Sequence, residues 1–432
     1  MKLRIKKGNI ANIMLTYCLF YICTFFLFDT FVGIVFKLVF YGCIAYGILG
    51  YVIIILIHNR RILYGISPVT IITFILLIVA FGILCLNVQD SDQRIRGLYQ
   101  YVFYLMIFLA TGYYVSKCNL NAAFDFLRQF GVVLSICSLY EQITRHYIIG
   151  MATKSYWTTY STVNNDNSGA IRAVVFSGSF LAFGILMAVI SIVAFYFYLK
   201  DKKLKNLIVL VFDVIGLLMS MSRGPWLATA VAFSLMYINA GASLQWRLRT
   251  KNVFKIIGIY IALIMAMAIL SNYISAINSV WTRVVSIFAW SGNDLGNLGR
   301  ISRWVSAIDI FKRNWAFGIG PASTGSRYTI ITESGVLKRL IECGFFVTLL
   351  YYIFIIDIVK QGFRNAWRTK NPYIMVALGV IICILFEDIY LQITEEINVY
   401  FLMCFAISAL YYRSKPNAET AIDGKTQGNG EK

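Results

Sequence analysis

Histidine is almost missing from this chain, whose 432 residues include only His58 and His146. In the orientation argued below they lie on opposite sides of a membrane, which excludes a paired-histidine metal site. Charge is scarce too: Asp, Glu, Lys and Arg make up 14% of residues against 59% hydrophobic. Soluble domains carry roughly 25% charged residues, so a soluble globular protein is excluded. The sequence has no P-loop, no dinucleotide-binding glycine fingerprint and no nucleophile elbow, so ATP-driven action by this chain alone is not expected. The nine cysteines, Cys18, Cys23, Cys43, Cys137, Cys383 and Cys404 among them, sit in or beside apolar runs without CxxC spacing. That is the placement of small buried hydrophobes. No internal repeat is visible, so the inverted-repeat signature of many secondary transporters is lacking.

What the chain does have is apolar length. Many runs reach the ~20 residues that cross ~30 Å of hydrocarbon, without the ~10-residue alternating segments of a barrel. The expected fold is all-α and polytopic, with about 12 transmembrane helices. They are placed near 10–28, 34–57, 68–87, 97–117, 122–143, 173–199, 204–221, 223–241, 254–272, 335–359, 373–391 and 395–412. Residues 1–412 read as a single polytopic domain with a large extracytoplasmic loop over 273–334, and 413–432 as a polar, disordered cytoplasmic tail. The start, Met1-Lys2-Leu3-Arg4-Ile5-Lys6-Lys7 before an apolar stretch from Ile10, resembles a signal sequence. No small-x-small cleavage site follows, so this stretch is expected to remain as the first span.

The net charge of +19 suggests nucleic acid only until its distribution is read. Arg60-Arg61, Lys117, Lys200 to Lys205, Arg247 to Lys255 and Lys360 to Lys370, with the two termini, hold 23 of the 39 Lys and Arg. Asp201 is the only acid in those internal connectors. The positive-inside rule makes that side cytoplasmic, with both termini on it. No nucleic-acid partner is expected; the partner implied is the lipid bilayer.

Every candidate for chemistry then falls on the outer face. The loop Ile274–Ser334 carries Arg283, Arg300, Arg303, Lys312, Arg313 and Arg327 against Asp294, Asp309 and Glu333. A basic loop over one membrane face suits an anionic ligand such as a lipid-linked phosphate. Ser222-Arg223-Gly224-Pro225-Trp226 opens a span, with Ser222 a candidate N-cap and Pro225 suited to a first turn. Free N–H groups and the positive dipole end beside a guanidinium favour phosphate; the alternative is an interfacial anchor of Arg and Trp. In Gly299-Arg300-Ile301-Ser302-Arg303-Trp304, a helix would present Ile301, Trp304, Val305, Ile308 and Phe311 on one face with the arginines flanking it. Arg172 adds a further outward guanidinium before the sixth span. Cations on the side that topology disfavours need a reason to be there.

Among the acids, Glu333 lies at the mouth of the tenth span and finds Val336 and Leu337 at its i+3 and i+4 positions. A mouth acid without a local cation is a candidate base or sugar-hydroxyl acceptor, or else a helix-start acid favoured by the dipole. Glu342 has Lys338 at i−4 and Arg339 at i−3, which reads as a neutralising group. Glu387, Asp388, Glu395 and Glu396 cluster at the last outer turn and can pair with the loop arginines. Asp90-Ser91-Asp92 has the DxD form of metal-dependent glycosyltransferases, a three-residue pattern common by chance. No metal site and no cofactor are expected.

Taken in order, Arg172, Ser222-Arg223-Gly224 and a large external loop with Gly299-Arg300 and Trp304 resemble the O-antigen ligase and polymerase superfamily. Asn314-Trp315-Ala316-Phe317-Gly318-Ile319-Gly320 looks like that family's loop motif, with Trp315 where proline is common. Glu333-Ser334-Gly335-Val336-Leu337 followed by Glu342-Cys343-Gly344 resembles its closing motif. Ligases of the superfamily usually carry His-Asn where this chain has Glu333-Ser334, and the Glu version looks like the Wzy-type polysaccharide polymerases. The resemblance implies undecaprenyl-diphosphate-linked oligosaccharide as donor and acceptor at the outer face of a bacterial cytoplasmic membrane. It further implies Glu333, Arg223 and Arg300 as catalytic residues, and Arg172, Arg283, Arg303, Trp304 and Arg327 around the diphosphate or glycan. Lys338, Arg339 and Glu342 form a structural charge group in this reading, and a chain-length regulator and a flippase are further partners. The alternatives are a ligase moving the glycan to another lipid or protein acceptor, and a lipid-linked oligosaccharide flippase.

Overall fold

The computed structural model describes residues 7–24, 31–57, 67–148, 172–177, 179–239, 250–273, 278, 280–282, 284–285, 295–324, 332, 334–390, 392 and 396–412. Of the predicted site residues, Arg283, Arg327 and Glu333 lie outside these, as do Glu395 and the tail over 413–432; Arg300 is described in its backbone alone. Among the described residues the chain is all helix and turn. The helices are α1 (Lys7–Cys23), α2 (Phe31–Ile57), α3 (Pro68–Leu86), α4 (Ser91–Lys117), α5 (Leu120–Thr144), α6 (Phe180–Asp201) and α7 (Leu204–Met219). They continue as α8 (Arg223–Asn239), α9 (Thr250–Ser271), α10 (Leu295–Arg313), α11 (Gly335–Arg368), α12 (Ile374–Tyr390) and α13 (Ile397–Ala409).

A helix stands at each of the twelve segments expected to span, and α10 lies within the expected large loop. Six of them, in α2 to α6 and α11, are long and apolar enough to cross a membrane by length and composition. The chain is a multi-pass membrane protein. Helices suit this medium because every main-chain polar group is satisfied within the segment.

Burial sorts the helices into an inner and an outer set. α13 is buried at every position from Ile397 to Ala409, and α6 is buried nearly all round from Ala182 to Phe197. Helices apolar on all sides belong in the centre of a bundle. By contrast α2 and α3 turn Leu38, Leu49, Leu56, Ile72, Leu76 and Leu86 outward, as lipid-facing helices do. α3 starts at Ser67, whose hydroxyl accepts the Thr70 N–H, with Pro68 in the first turn. Thr70 then donates to Asp357 Oδ2 at 2.5 Å and Gln361 donates to the same oxygen at 2.6 Å, tying α3 to the distal end of α11.

Two departures from regular helix shape the end of the bundle that meets the 314–320 loop. α4 passes through a π-helical stretch, Leu98–Phe103, and π-turns cluster at functional sites. α11 breaks at Gly344 (φ 73°, ψ 178°), which separates a short buried first part, 335–343, from the long remainder.

Candidate active site

The break in α11 frees carbonyls that a continuous helix would have used, and the loop motif at 314–320 takes them. Ile319 N–H donates to Ile341 O at 2.8 Å and Gly320 N–H to Glu342 O at 3.0 Å, while Phe345 N–H donates to Trp315 O at 2.7 Å. The glycines follow from this close backbone approach. Gly318 (φ 72°) would push a Cβ into the Ile341 and Glu342 backbone, and Gly344 would push one into the Ala316 carbonyl. The two motifs are thus one unit.

Glu342 fastens that unit from inside. Its buried carboxylate accepts from Tyr101 Oη at 2.6 Å, from the N–H groups of Ala322 and Thr324 at 2.9 Å each, and from Thr324 Oγ1 at 2.5 Å. Lys338 Nζ stands 3.6 Å from it, as its i+4 spacing suggests. Arg339, the third member of the expected charge group, reaches another helix: its Nη1 donates to Asp388 Oδ2 at 2.6 Å on α12, and to Tyr352 Oη at 3.0 Å. Arg339 also lies over the Tyr351 ring at 4.7 Å. A bonded carboxylate on α12 is thus within reach of Arg339.

Asp388 has a neighbour with a separate task. A Cβ on Gly224 would stand 2.6 Å from both carboxylate oxygens of Glu387, so the glycine of Ser222-Arg223-Gly224 admits a buried acid against the first turn of α8. Helix N-termini favour such a charge. The end of α12 therefore touches two predicted motifs, Glu387 at the start of α8 and Asp388 at Gly335 and Arg339 on α11.

Arg172 joins the same rim. Ala173 N–H donates to Met219 O at 2.9 Å, beside the turn (Met221, φ 50°) that leads into α8. Glu141 of α5, buried, accepts the N–H groups of Ile148, Val174 and Val175 at 3.0, 2.9 and 3.1 Å, which fixes the segment carrying Arg172. The guanidinium lies over the Phe180 ring at 4.6 Å. Arg172 also faces Tyr147, whose phenol burial pushes up to about 12, with Glu141 adding to the rise and Arg172 opposing it. Arg172 and the start of α8 at Arg223, far apart in sequence, thus share one edge of the bundle. Trp226 is no interfacial anchor: it is buried and donates Nε1 to Leu217 O at 2.9 Å.

Other predicted residues fall further out. Arg303 lies on the exposed side of α10, Trp304 is half-buried, and Ile301, Val305 and Ile308 keep about half of their surface uncovered by protein. Thr332 and Ser334, which flank Glu333, are both buried, and Gln392 donates to Thr332 Oγ1. Asp90 of the DxD caps α4 by accepting the Asp92 N–H at 3.1 Å, and Arg94 donates to Val88 O. Among the described residues no group of three His, Cys, Asp or Glu could hold a metal ion. Sequence reading missed Glu141 and Gln100; a buried acid near the end of a helix, before a basic loop, was the available signal for Glu141.

Part of this edge falls within a stretch that is similar to a known family. No curated protein matches the chain. The family model described as O-antigen ligase matches residues 207–352, the stretch that runs from α7 through Ser222-Arg223-Gly224, α10 and the 314–320 loop into α11.

Proposed function

We propose that the chain polymerises undecaprenyl-diphosphate-linked oligosaccharide repeat units at the outer face of a bacterial cytoplasmic membrane, with both termini cytoplasmic. The coarser reading, a membrane glycosyltransferase-like protein acting on lipid-linked glycans, follows from the family match. One observation supports the finer one: the Arg172 segment, the start of α8 at Arg223 and the start of α11, which follows Glu333 in sequence, converge on one edge.

In this reading an acceptor hydroxyl oxygen attacks the anomeric carbon of the donor glycan. The bond from that carbon to the diphosphate breaks, and the electron pair leaves with the diphosphate. Arg223 and Arg300, with Arg172, Arg283, Arg303 and Arg327 around them, stabilise the charge that develops there. Guanidinium forks suit phosphate because two parallel N–H groups meet two oxygens. Glu333 takes the acceptor proton or orients the hydroxyl. Trp304 offers the glycan an aromatic face. The free energy lies in the diphosphate linkage, so no nucleotide is needed. A flippase that delivers the donor and a chain-length regulator are the partners this role calls for.

The second reading, transfer of the glycan to a lipid or protein acceptor, draws support from the family's ligase description. Purified chain in liposomes with the lipid-linked repeat alone separates the two. A ladder of lengthened products supports the polymerase. Transfer that begins only when a different acceptor is added supports the ligase, and no transfer under either condition overturns both.

A further inference from the structure

A small cavity of about 30 Å³ lies between the π-helical turn of α4 and the mouth of α11, lined by Phe81, Gln100, Tyr101, Lys338, Tyr351 and Tyr400. Gly335 also borders it, two residues beyond Glu333. Three observations make it more than a packing gap. Gln100 and Tyr101 come from the π-helical stretch, a geometry found mostly as short insertions at functional sites. Gln100 Oε1 is buried and, among the described residues, accepts no hydrogen bond, whereas buried polar atoms are overwhelmingly paired. The charged groups nearby are already matched, Lys338 with Glu342 and Arg339 with Asp388. An anion therefore gains little here.

What remains is a largely ring-walled pocket, bordered by the ion-paired Lys338 and Arg339, in which Gln100 Oε1 is an acceptor waiting for a donor. Aromatic walls with a single placed polar group are the usual make-up of a site that orients a neutral ligand. Its volume matches about one water-sized group. A pyranose ring does not fit, but an exocyclic group projecting from one does.

We propose that this cavity receives the hydroxymethyl group of a substrate sugar, its hydroxyl donating to Gln100 Oε1, so that Gln100 is a specificity-determining residue. The proposal rests on the glycan-transfer reading given above and deepens it: sugars whose C6 hydroxyl is missing are selected against. Tyr101 couples the cavity to the loop, since its hydroxyl is committed to Glu342 while its ring forms the wall.

The test is binding, not turnover. The full chain in lipid nanodiscs is titrated with methyl glucoside, galactoside and mannoside, each against its 6-deoxy partner, by saturation-transfer NMR. At least one pair is expected to show the 6-deoxy sugar about tenfold weaker, the loss of one buried hydrogen bond. Gln100→Leu should abolish that preference and Gln100→Glu, which keeps acceptor oxygens, should retain it. If Gln100→Leu fails to fold, the wild-type pairs and the Glu variant decide. No binding by wild type, equal binding within every pair, or a preference that survives Gln100→Leu overturns the proposal. Set beside the liposome transfer assay above, loss of this preference with glycan transfer intact sinks the cavity alone, and a clear preference without transfer sinks the enzymatic reading alone.

Discussion

Glu342 accepts both the backbone N–H and the hydroxyl of Thr324, at 2.9 and 2.5 Å, across the gap between the loop that precedes α11 and α11 itself. This contact fixes the loop end from the membrane side. Replacing Glu342 by Ala removes the carboxylate paired with the buried Lys338, a loss of about 3–5 kcal/mol for a broken buried pair. Thermal melting in detergent should fall clearly for Glu342→Ala and less for Glu342→Gln, which keeps hydrogen-bonding capacity. Melting equal to wild type for both would show that the loop is held elsewhere.

Glycine substitutions should divide sharply by position. Gly318→Ala and Gly344→Ala force a Cβ against backbone at a positive φ, so both should reduce folded yield severely. At Gly82 and Gly258 nothing lies within 4 Å of an added Cβ, and alanine there should be neutral or slightly stabilising. Size-exclusion profiles of the four variants check this; equal profiles would contradict the motif contact.

Arg339 and Asp388 should be coupled. Each single replacement, Arg339→Met or Asp388→Asn, removes the oppositely charged partner of a buried group, and the double variant should recover part of the loss. A coupling of about 0.5–3 kcal/mol is expected between contacting residues. Strict additivity in melting would mean that the 2.6 Å pair contributes nothing net.

Much of this architecture was legible beforehand, because hydropathy and length demand helices wherever lipid must be crossed. Helices stand at all the expected segments, and the i+4 relation of Lys338 to Glu342 appears as a 3.6 Å pair. The partner of Arg339 was not legible. Residues three apart on a helix can meet, but Arg339 reaches α12, and no local spacing encodes which helix packs there. The role of Gly224 was hidden for the same reason: it is explained by Glu387, 163 positions later in the chain. The break at Gly344 was visible only as a glycine within an apolar run, and its meaning depends on the loop that bonds to it.

Orientation has its own check. A cysteine placed at Ser291 in a cysteine-free background should react with an impermeant maleimide from outside intact cells. Reaction only after the membrane is opened would invert the topology.

Glu333→Gln keeps shape while removing basicity. Turnover should drop by the ~10²–10⁴ typical of general base catalysis, with donor-analogue binding nearly unchanged. Long polymer from this variant would move the proton acceptor to another group, Glu395 or Glu396 first.

The most direct test of the central claim is release of polyprenyl diphosphate from a lipid-linked repeat unit by the purified chain in liposomes, wild type beside Arg223→Lys. The account predicts release and chain growth by wild type, and a sharp fall in the Lys variant, which keeps the charge but loses the bidentate fork. Release by Arg223→Lys at the wild-type rate would contradict it.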